Sequence, residues 1–546
     1  MPLESIKRRT LVKGLSATLG LLALRGFSVN AENPVHFTHG IASGDPLHDR
    51  VILWTRVIPG HGAHQQLKVE WQIASDAKFR KMVVEGTTET DGSRDYTVKV
   101  DATGLKAGKQ YYYRFTCEGV SSIVGKTKTL PKGKVREFKM GVASCSNYPQ
   151  GYFNAYKDMA QADLDVVLHL GDYIYEYADG VYSNPIAVEQ LGRRVQPSTE
   201  IIALEDYRMR YGLYRTDADL QALHRNHPMI AVWDDHELMN NTWHSGAENH
   251  NEGEGDFGTR IAAAKKAYHE WMPIRTRESD QENIYRSFEI GNLADLIMLD
   301  TRFVGRDEQL EYSSDLGKDP RTFADTKLNK PERELLGKPQ ADWLRNKLQK
   351  SKTRGATWQV LGQQVLMGKV LIPSIDPAIV DEAPIPDSYK QRMKSMLNLA
   401  KLGLPLNLDA WDGYPAARER LYDDLLEYAV NPISLAGDTH NAWAFNLRNA
   451  EGNAVGIELG TPGISSPGLE SFLPLPIETT KASFLASSPE LVEADTSQRG
   501  WALLTLTPSG AETQFRYVST VLSREYSVTS SAPLRASAGK RRYNKT

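Results

Sequence analysis

Asp165-Val-Val-Leu-His-Leu-Gly-Asp172 is an apolar run that ends in a Gly-Asp pair, and it indicates the fold class. Continuous apolar runs are typical of strands that are covered on both faces of a sheet. Three further runs, 138–145, 229–237 and 433–440, also end in side chains that can bind metals. Because α/β sheets build their sites beyond the carboxyl ends of their strands, these four ends predict one shared site.

Helical spacing of apolar side chains between these runs predicts an α/β domain with layered packing. The predicted helices cover residues 150–160, 260–272, 339–348, 389–402 and 415–429. Strand patterns recur near the end of the chain, at 501–506 and 513–518. The basic, polar segment 535–546 is expected to fray.

Residues 35–130 have a different pattern, in which apolar and polar side chains alternate. Val69, Trp71 and Ile73 form one such series. Period-two alternation is typical of half-buried antiparallel strands, so a β-sandwich is predicted here. Cys117 falls on the apolar side of its strand, which predicts a packing role for its side chain.

The first residues predict an export signal. Two adjacent arginines, Arg8 and Arg9, precede a short apolar stretch at 14–24, and Ala31 ends a small-residue cleavage site. This order matches a bacterial twin-arginine signal, with a Sec signal or an uncleaved anchor as the alternatives. No later segment holds the roughly 18 apolar residues of a membrane span. We therefore expect a soluble mature protein that begins near Glu32 and has no stable membrane anchor.

Composition narrows the classes of function. The 546 residues are 40% hydrophobic and 24% charged, as in ordinary globular proteins. A net charge of -3 gives no electrostatic basis for binding nucleic acid. The only cysteines are Cys117 and Cys145, too few for a disulfide scaffold. A single bridge between them stays open as an alternative, and it would remove Cys145 from any metal.

Asp172, Tyr175 and Cys145 predict a site for a trivalent ion. A carboxylate on a Gly-Asp turn can bridge two cations, and a tyrosine three residues later can return to the same place. Thiolate, carboxylate and phenolate with one imidazole suit Fe(III) better than Mg or Ca. A buried tyrosine and a turn aspartate are the alternative. His169 lies inside its apolar strand and is predicted to be a satisfied core histidine.

A second group of ligands follows the third run. Asp234, Asp235, His236 and Glu237 crowd one strand end, with Asn240 nearby. Such a cluster is costly unless a cation or another partner compensates it. Its oxygen ligands suit Ca, Mg or Mn. A salt-bridge network on a surface turn is the alternative.

Asp438 and His440 repeat the pattern at the end of the fourth run. Side chains two residues apart in extended structure point the same way, so these two can serve neighbouring metals. Two more strand ends carry Arg302 and Gln363. Arg302 suits an anionic substrate or a carboxylate, and the Gln363 amide can coordinate an ion or orient a phosphate.

A multinuclear site with a bridging aspartate predicts hydrolysis of a phosphate ester. One ion lowers the pKa of bound water to give hydroxide, and the others stabilise charge on the phosphoryl oxygens. A histidine beside the metals can protonate the leaving alkoxide.

Together these segments resemble the PhoD-like alkaline phosphatases and phosphodiesterases, from residue 37 to about 518. The landmarks are His-Gly-Ile-Ala-Ser-Gly-Asp-Pro at 39–46, Val-Ile-Leu-Trp-Thr-Arg at 51–56, Ala-Ser-Cys-Ser at 143–146, His-Leu-Gly-Asp-Tyr-Ile-Tyr at 169–175, Trp-Asp-Asp-His-Glu at 233–237, Leu-Asp-Thr-Arg at 299–302, Trp-Asp-Gly-Tyr-Pro at 411–415 and Gly-Asp-Thr-His at 437–440. The resemblance implies an α/β fold, a four-layered α/β/β/α metallophosphoesterase sandwich preceded by an N-terminal fibronectin-like β-sandwich domain. The expected divisions are a signal at 1–31, the β-sandwich at 35–130, the catalytic domain at 135–520 and a tail at 521–546.

The resemblance also implies the metals, Fe(III) together with Ca2+. The implied iron ligands are Cys145, Asp172, Tyr175 and His440. Asp172 would bridge to calcium, and the further calcium ligands would be Asp235, Asn240 and Asp438. His236 would assist at the leaving group, with Arg302 as a second catalytic residue; Arg302 and Gln363 come from less distinctive motifs.

We therefore predict an exported phosphatase and phosphodiesterase that hydrolyses phosphate monoesters and diesters. It is expected to be monomeric, periplasmic or secreted, and a partner of the twin-arginine translocase during export. The nearest alternative is a lipid phosphodiesterase of phospholipase D type, in which the insertion 372–414 contacts acyl chains instead of forming a lid packed on the core. A non-catalytic surface binding protein on the same fold is the alternative from another class, and the intact ligand set argues against it.

Overall fold

The computed structural model describes residues 35–60, 66–276, 283–317, 319–383, 385–473 and 475–544. The predicted export signal at 1–31 lies outside these residues. Among the described residues, no helix combines the length and the apolar character needed to cross a membrane.

Strands supply the framework of the molecule. In chain order they are β1 (Ile41–Gly44), β2 (Arg50–Arg56), β3 (Leu67–Ala74), β4 (Met82–Thr90), β5 (Thr97–Thr103), β6 (Gln110–Cys117), β7 (Val120–Ser121), β8 (Gly125–Lys128), β9 (Phe138–Ala143), β10 (Val166–His169), β11 (Met229–Ala231), β12 (Thr242–Trp243), β13 (Gly246–Ala247), β14 (Arg286–Ile290), β15 (Ala294–Met298), β16 (Trp358–Gln363), β17 (Pro432–Ala436), β18 (Ala442–Arg448), β19 (Ala454–Gly460), β20 (Leu491–Asp495), β21 (Arg499–Leu506), β22 (Gly510–Val518), β23 (Val528–Ser530) and β24 (Leu534–Ser537).

Helices follow the first all-β part of the chain. They are α1 (Asn154–Gln161), α2 (Pro185–Glu189), α3 (Leu204–Arg215), α4 (Ala218–Asn226), α5 (Phe257–Trp271), α6 (Tyr312–Asp315), α7 (Pro320–Phe323), α8 (Gly337–Arg354), α9 (Pro377–Glu382), α10 (Asp387–Ala400), α11 (Pro415–Tyr428) and α12 (Ile477–Ser487). Local sequence explains their ends. Asp256 caps α5 by accepting from the Thr259 N–H at 2.8 Å, and Gly355 ends α8 in the left-handed region, with φ 76°.

The N-terminal part of the chain contributes two sheets that share one apolar core. A five-stranded sheet has the order β4-β3-β6-β7, with β8 on β6. Its Val69 and Phe115 belong to the same buried cluster as Val51 and Leu53 of β2. Cys117 lies in this cluster with 1% of its surface exposed, so its predicted packing role is confirmed.

The second of these sheets continues into the rest of the molecule. β1, β2 and β5 are part of a ten-stranded sheet with the order β23-β22-β21-β9-β10-β11-β1-β2-β5, and β24 pairs with β22. The junction is a parallel pairing in which Gly44 lies opposite Met229. The β1–β2–β5 strands are therefore hydrogen-bonded to the sheet that carries β9, β10 and β11.

A seven-stranded sheet forms the other half of the α/β part, in the order β14-β15-β16-β17-β19-β18-β20. Its Leu296 and Leu435 belong to the same buried cluster as Met140 and Val167 of the ten-stranded sheet. A second cluster joins other side chains of the seven-stranded sheet to helices α8 and α11. β9, β10 and β11 are parallel, as are β15, β16, β17 and β19. The mixed α/β prediction is confirmed.

The five predicted helices correspond to α1, α5, α8, α10 and α11, with ends displaced by up to six residues. α8 starts two residues before its predicted start at residue 339 and runs six residues beyond its predicted end at 348. α3, α4 and α12 were not predicted, because aromatic, charged and polar residues dilute their apolar stripes.

The prediction that the chain frays after residue 535 is wrong for the described residues. β24 extends β22, with Leu534 opposite Thr513. Tyr543 is buried, and its N–H donates to Asn446 Oδ1 at 2.7 Å. The basic composition of this segment suggested fraying, but Leu534 and Tyr543 hold it to the rest of the molecule.

Candidate metal centre

The four predicted strand ends meet at one buried place. Three groups of side chains there each bring ligand atoms within 4.8 Å of one another. The groups are Cys145, Asp172 and His440; Asp172, Asp235 and His236; and Asp234, Asp235 and Asp438. Asp172 and Asp235 each belong to two groups, so the groups form one continuous cluster.

Four of these residues share an unusual backbone. Cys145, Asp172, Asp438 and His440 have φ of 61°, 56°, 58° and 57°. Residues other than glycine rarely occupy this left-handed region, and such strain concentrates at functional sites. Three of the four strands, β9, β10 and β17, are therefore followed by a sharp turn at a residue that offers a ligand.

Gly171 and Glu237 hold the Asp172 turn. Gly171 has φ 103°, and a Cβ at this position would lie 2.3 Å from Asp234 Cβ, so only glycine fits. The buried Glu237 carboxylate accepts the N–H groups of Asp172 at 3.0 Å, Tyr173 at 2.5 Å and Asp234 at 2.7 Å. Glu237 thus ties the ends of β10 and β11 together.

Cys145, Asp172, Tyr175 and His440 form one side of the cluster. The Tyr175 hydroxyl donates to Asp172 Oδ2 at 3.1 Å and lies 3.3 Å from His440 Nε2. Asp172 Oδ1 is buried and has no hydrogen-bond partner among the described residues. His440 Nδ1 lies 2.8 Å from the Pro467 carbonyl, to which it donates. That bond leaves Nε2 with the lone pair that binds a metal.

The electrostatics of this side fit a bound cation. Burial, reinforced by the Asp172 carboxylate, raises the pKa values of Cys145 and Tyr175 well above their usual range. Burial also raises the pKa of Asp172 and lowers that of His440 to about 4. A neutral imidazole is ready to bind a metal, whereas thiolate and phenolate need a nearby positive ion to form.

Asp234, Asp235 and Asp438 form the other side, around Arg302. The buried Arg302 guanidinium donates to Asp234 and, at 2.6 Å, to Asp438 Oδ1, and it lies 3.8 Å from Asp235 Oδ2. It also donates to Asp409 Oδ2 at 2.5 Å. The sequence left Arg302 as a partner of either an anionic substrate or a carboxylate. In the structure its guanidinium binds carboxylates.

The carboxylates on this side differ in their protonation. Burial raises the pKa of Asp438 to about 6 and that of Asp234 well above its usual range. Burial also acts on Asp235, but Arg302 and His236 outweigh it and hold the pKa of this carboxyl below its usual value. Asp234 Oδ2 is buried without a hydrogen-bond partner among the described residues. Asp234, Asp235, His236 and Glu237 are buried, so they do not lie on a surface turn, although Asp234 and Asp235 do form salt bridges with Arg302.

Asn240 lies at the edge of the cluster. Its N–H donates to Glu176 Oε1 at 2.9 Å, and its side-chain nitrogen donates to Glu248 Oε2 at 3.3 Å. Neither bond uses the amide oxygen, the atom that would bind calcium.

Glu176 is the residue that sequence reasoning missed. Its Oε2 lies 2.7 Å from His236 Nδ1, and its Oε1 accepts from Asn249 Nδ2 at 2.8 Å. Burial opposes protonation of His236, but Asp235, Glu176 and Asp172 raise its pKa well above the usual value. Its position next to the predicted ligand Tyr175 could have indicated a place in the site. A single glutamate in a tyrosine-rich loop, however, forms no sequence motif.

Gln363 does not join the cluster. Its Oε1 accepts from Trp411 Nε1 at 2.7 Å, and its Nε2 donates to Ser434 Oγ at 2.9 Å. The amide is buried and engaged in hydrogen bonds that cross-link the core. The role predicted for it toward a metal or substrate therefore lacks support.

Two other sequence-based alternatives are resolved. Both cysteines are free, so the Cys117–Cys145 bridge is wrong. His169 is buried, and its Nε2 lies 2.7 Å from the Tyr156 hydroxyl, which confirms a satisfied core histidine.

One cavity reaches the cluster, and a second lies beside residues that contact it. The larger has a volume of about 1040 Å³, with Asp438 and Thr439 in a wall that is otherwise mostly apolar. The smaller, about 630 Å³, includes Tyr182 and Pro467, which contact His440, and is otherwise rich in hydroxyl and amide groups. Phe472 lines both cavities.

Comparison with known proteins agrees with this fold. Residues 140–515 match the PhoD-like phosphatase model, and residues 24–131 match the PhoD-like phosphatase N-terminal domain. Alkaline phosphatase D of Bacillus subtilis (strain 168) is 39% identical over 467 residues, which cover 81% of this chain and 73% of that protein. The solved structure of PhoD superposes with a TM-score of 0.78 at 34% identity, covering 94% of this chain and 92% of that chain.

These similarities define the chain as a hydrolase of phosphoric esters. It belongs to the PhoD-like phosphatase family. The resemblance stated from the sequence motifs is thereby confirmed.

Proposed function

We propose that this phosphoester hydrolase cleaves phosphate monoesters and diesters at a multinuclear centre of Fe(III) and Ca2+. The observation that carries the proposal is the overlap of three ligand groups through Asp172 and Asp235. Shared carboxylates are what a site for neighbouring cations requires, because one oxygen pair can bridge two ions.

Iron is assigned to the side that contains a thiol, a phenol and an imidazole. The proposed iron ligands are Cys145, Asp172, Tyr175 and His440. The oxygen-rich side is assigned to calcium, through Asp172, Asp235, Asn240 and Asp438. Ligand softness supports this division, since thiolate and phenolate favour iron and carboxylate or amide oxygens favour calcium.

The bound ions would lower the pKa of water and neutralise charge on the phosphoryl oxygens. Among the protein's own side chains, His236 has the central role. We assign it as the acid that donates its Nε2 proton to the leaving alkoxide. Glu176 holds Nδ1 and fixes the ring orientation. Arg302 acts as a positioning residue, because it is buried and holds Asp234 and Asp438.

We infer the finer architecture and the export route on separate grounds. The cluster shared by the two large sheets supports a four-layered α/β/β/α packing of residues 135–520. The apolar core between the N-terminal sheets supports a fibronectin-like sandwich at 35–130. Beyond residue 520 the chain still adds β23 and β24 to the ten-stranded sheet, so 521–546 is not proposed as a separate tail. The arginine pair at 8–9 supports export through the twin-arginine translocase to the periplasm or beyond.

Hydrolysis of lipid phosphodiesters is the second candidate function. The larger cavity favours it, because an apolar space has the proposed ligand Asp438 in its wall. Within the insertion 372–414, Leu404 and Leu408 are buried in a small packed cluster, while Leu406 lines the cavity. The insertion thus combines a packed lid with a surface that an acyl chain can contact.

An activity assay with metal removal tests the proposal. The protein purified from its export compartment should hydrolyse p-nitrophenyl phosphate and bis-p-nitrophenyl phosphate, lose both activities to a chelator and regain them with iron plus calcium. Iron or calcium alone should restore less than the pair. Absence of turnover in protein that contains both metals would favour the non-catalytic binding protein instead.

A further inference from the structure

We propose that Ser466 is a positioning residue of the metal centre, whose hydroxyl donates a hydrogen bond to the Tyr175 oxygen when that oxygen binds a metal. This inference rests on the proposed function, because it concerns the ligands assigned to iron. The observation behind it is a contact of 2.7 Å between Ser466 Oγ and the Tyr175 hydroxyl oxygen, in a place where both side chains are buried. Ser466 belongs to none of the motifs that predicted the site.

The loop after β19 contacts the side of the cluster that is assigned to iron. Its backbone N–H groups at Gly463 and Ser466 donate to the carbonyls of His440, at 3.1 Å, and Cys145, at 3.2 Å. The Pro467 carbonyl accepts from His440 Nδ1 at 2.8 Å. Ser466 is therefore held beside the ligands by backbone contacts on both sides of it.

Ser466 Oγ has two hydrogen-bond partners but only one hydrogen. In the metal-free protein it donates that hydrogen to the Cys145 carbonyl at 2.9 Å. The Tyr175 hydroxyl also has one hydrogen, which either Asp172 Oδ2, at 3.1 Å, or Ser466 Oγ, at 2.7 Å, can accept. A phenol oxygen that binds a metal carries no hydrogen. In the metal-bound protein, Ser466 is then the only one of these two hydroxyl groups that can donate to the other.

The Cys145 carbonyl keeps partners when the Ser466 hydroxyl turns away from it. It also accepts from the N–H groups of Ser465, at 3.4 Å, and Ser466, at 3.2 Å. A buried carbonyl is costly when it is left without any hydrogen bond. Because these two bonds remain, rotation about one side-chain bond moves the Ser466 hydrogen to Tyr175 without leaving an unpaired acceptor.

A hydrogen bond to the metal-bound oxygen has two consequences. Hydrogen bonds to charged acceptors are stronger than neutral ones, so this bond favours the anionic form of Tyr175 that a metal requires. Groups that hold metal ligands by hydrogen bonds typically contribute about 10- to 100-fold in metal affinity. The bond also draws electron density from the phenolate oxygen, which raises the energy needed to transfer an electron from the phenolate to Fe(III).

Visible absorption of the iron-loaded protein tests the proposal, because tyrosinate bound to Fe(III) absorbs visible light by such a charge transfer. In Ser466→Ala we expect the band to move to longer wavelength. The affinity for iron, measured by competition with a chelator, should fall about 10- to 100-fold. A band that stays at its wild-type wavelength would overturn the inference, whatever the iron affinity.

Ser465 provides a matched control in the same loop. Its side chain is also buried, but its Oγ donates to the Asn147 carbonyl, at 2.8 Å, instead of contacting Tyr175. Ser465→Ala removes the same atom one residue away and should keep the wild-type band and iron affinity. An equal shift in both variants would indicate a general loosening of the loop and would also overturn the inference. Circular dichroism would establish that both variants fold.

Failure of the proposed function would look different. It would appear as wild-type protein that binds no iron, or as a visible band that survives in Tyr175→Phe, and the inference would fall with it. A band that is lost in Tyr175→Phe but unmoved in Ser466→Ala would overturn the inference alone.

Discussion

His236 Nδ1 lies 2.7 Å from Glu176 Oε2, inside a region where both side chains are buried. The second Glu176 oxygen accepts from the Asn240 N–H and from Asn249. Three contacts thus fix the carboxylate, and the carboxylate fixes the imidazole. Asp235 and this pairing together raise the pKa of His236 against the effect of burial, which explains how a buried histidine can remain protonated beside the ligand cluster and act as an acid.

Replacing Glu176 by glutamine should weaken that acid. The nearby carboxylates raise the pKa of His236, so its protonated form persists to higher pH, and activity falls as pH rises through that pKa. In Glu176→Gln the fall should begin at lower pH, and kcat should drop about 10- to 100-fold. The measurement is kcat against pH for glycerol 2-phosphate, whose leaving group is an alkoxide that needs the proton. Glu205→Gln, at an exposed carboxylate of α3, should match the wild type, and an unshifted profile for Glu176→Gln would refute the pairing's role.

Arg302 should contribute strongly to stability through the acids that it joins. Arg302→Met leaves Asp234 and Asp438 without their arginine partner, whereas Asp409 keeps Arg306, and breaking a buried pair costs about 3–5 kcal/mol. Chemical denaturation of the metal-free protein measures this loss. Arg345→Met is the control, since its partners Asp342 and Asp424 lie near the surface and such pairs contribute at most about 1 kcal/mol. Equal effects in the two variants would contradict the account.

The metal-free protein should lose stability as pH rises. Burial raises the pKa of Asp438 to about 6 from its ordinary 3.8, so the folded protein binds a proton there that the unfolded chain has released. Stability from such a carboxyl is present at acid pH and falls between about pH 4 and pH 6. Denaturation of the metal-free protein across this range should show the decline, and Asp438→Asn should reduce it. A stability that rises over the same range in both proteins would count against this reasoning.

Metal binding should release protons. Burial raises the pKa values of the Cys145 thiol and the Tyr175 phenol, so both are protonated before iron binds and must ionise when it does. Titration of iron into metal-free protein, by calorimetry in two buffers of different ionisation enthalpy, should give a release of at least two protons. Release unchanged in Tyr175→Phe would show that the phenol is not a ligand.

Much of the site could be predicted because its signals are local. An apolar run followed by Gly-Asp indicates a buried strand and a turn, and the carboxyl ends of such strands share one edge of a sheet. That reasoning was enough to bring Cys145, Asp172, Asp235 and Asp438 together. The left-handed backbone at three of them is consistent with strained turns that carry function.

The remainder depends on contacts that sequence spacing does not encode. Glu176 and Asp409 contact His236 and Arg302 from loops without periodic patterns. From its position at a strand end, the Gln363 amide predicts a role in the site. In the fold, its oxygen instead accepts a hydrogen bond from Trp411, 48 residues away in the sequence. Likewise, the pairing of β1 with β11 joins the N-terminal strands to the large sheet through a tertiary contact.

Iron content of matched cysteine variants tests the central claim most directly. Cys145 lies in the ligand cluster and Cys117 in the N-terminal core, and both are free and buried. Each change to alanine should cost about 1 kcal/mol of stability, within the range of ordinary core substitutions. Elemental analysis of the purified, folded proteins should find about one iron per chain in the wild type and in Cys117→Ala, and almost none in Cys145→Ala. Full iron in Cys145→Ala would contradict the assignment of the thiolate and, with it, the division of the centre between iron and calcium.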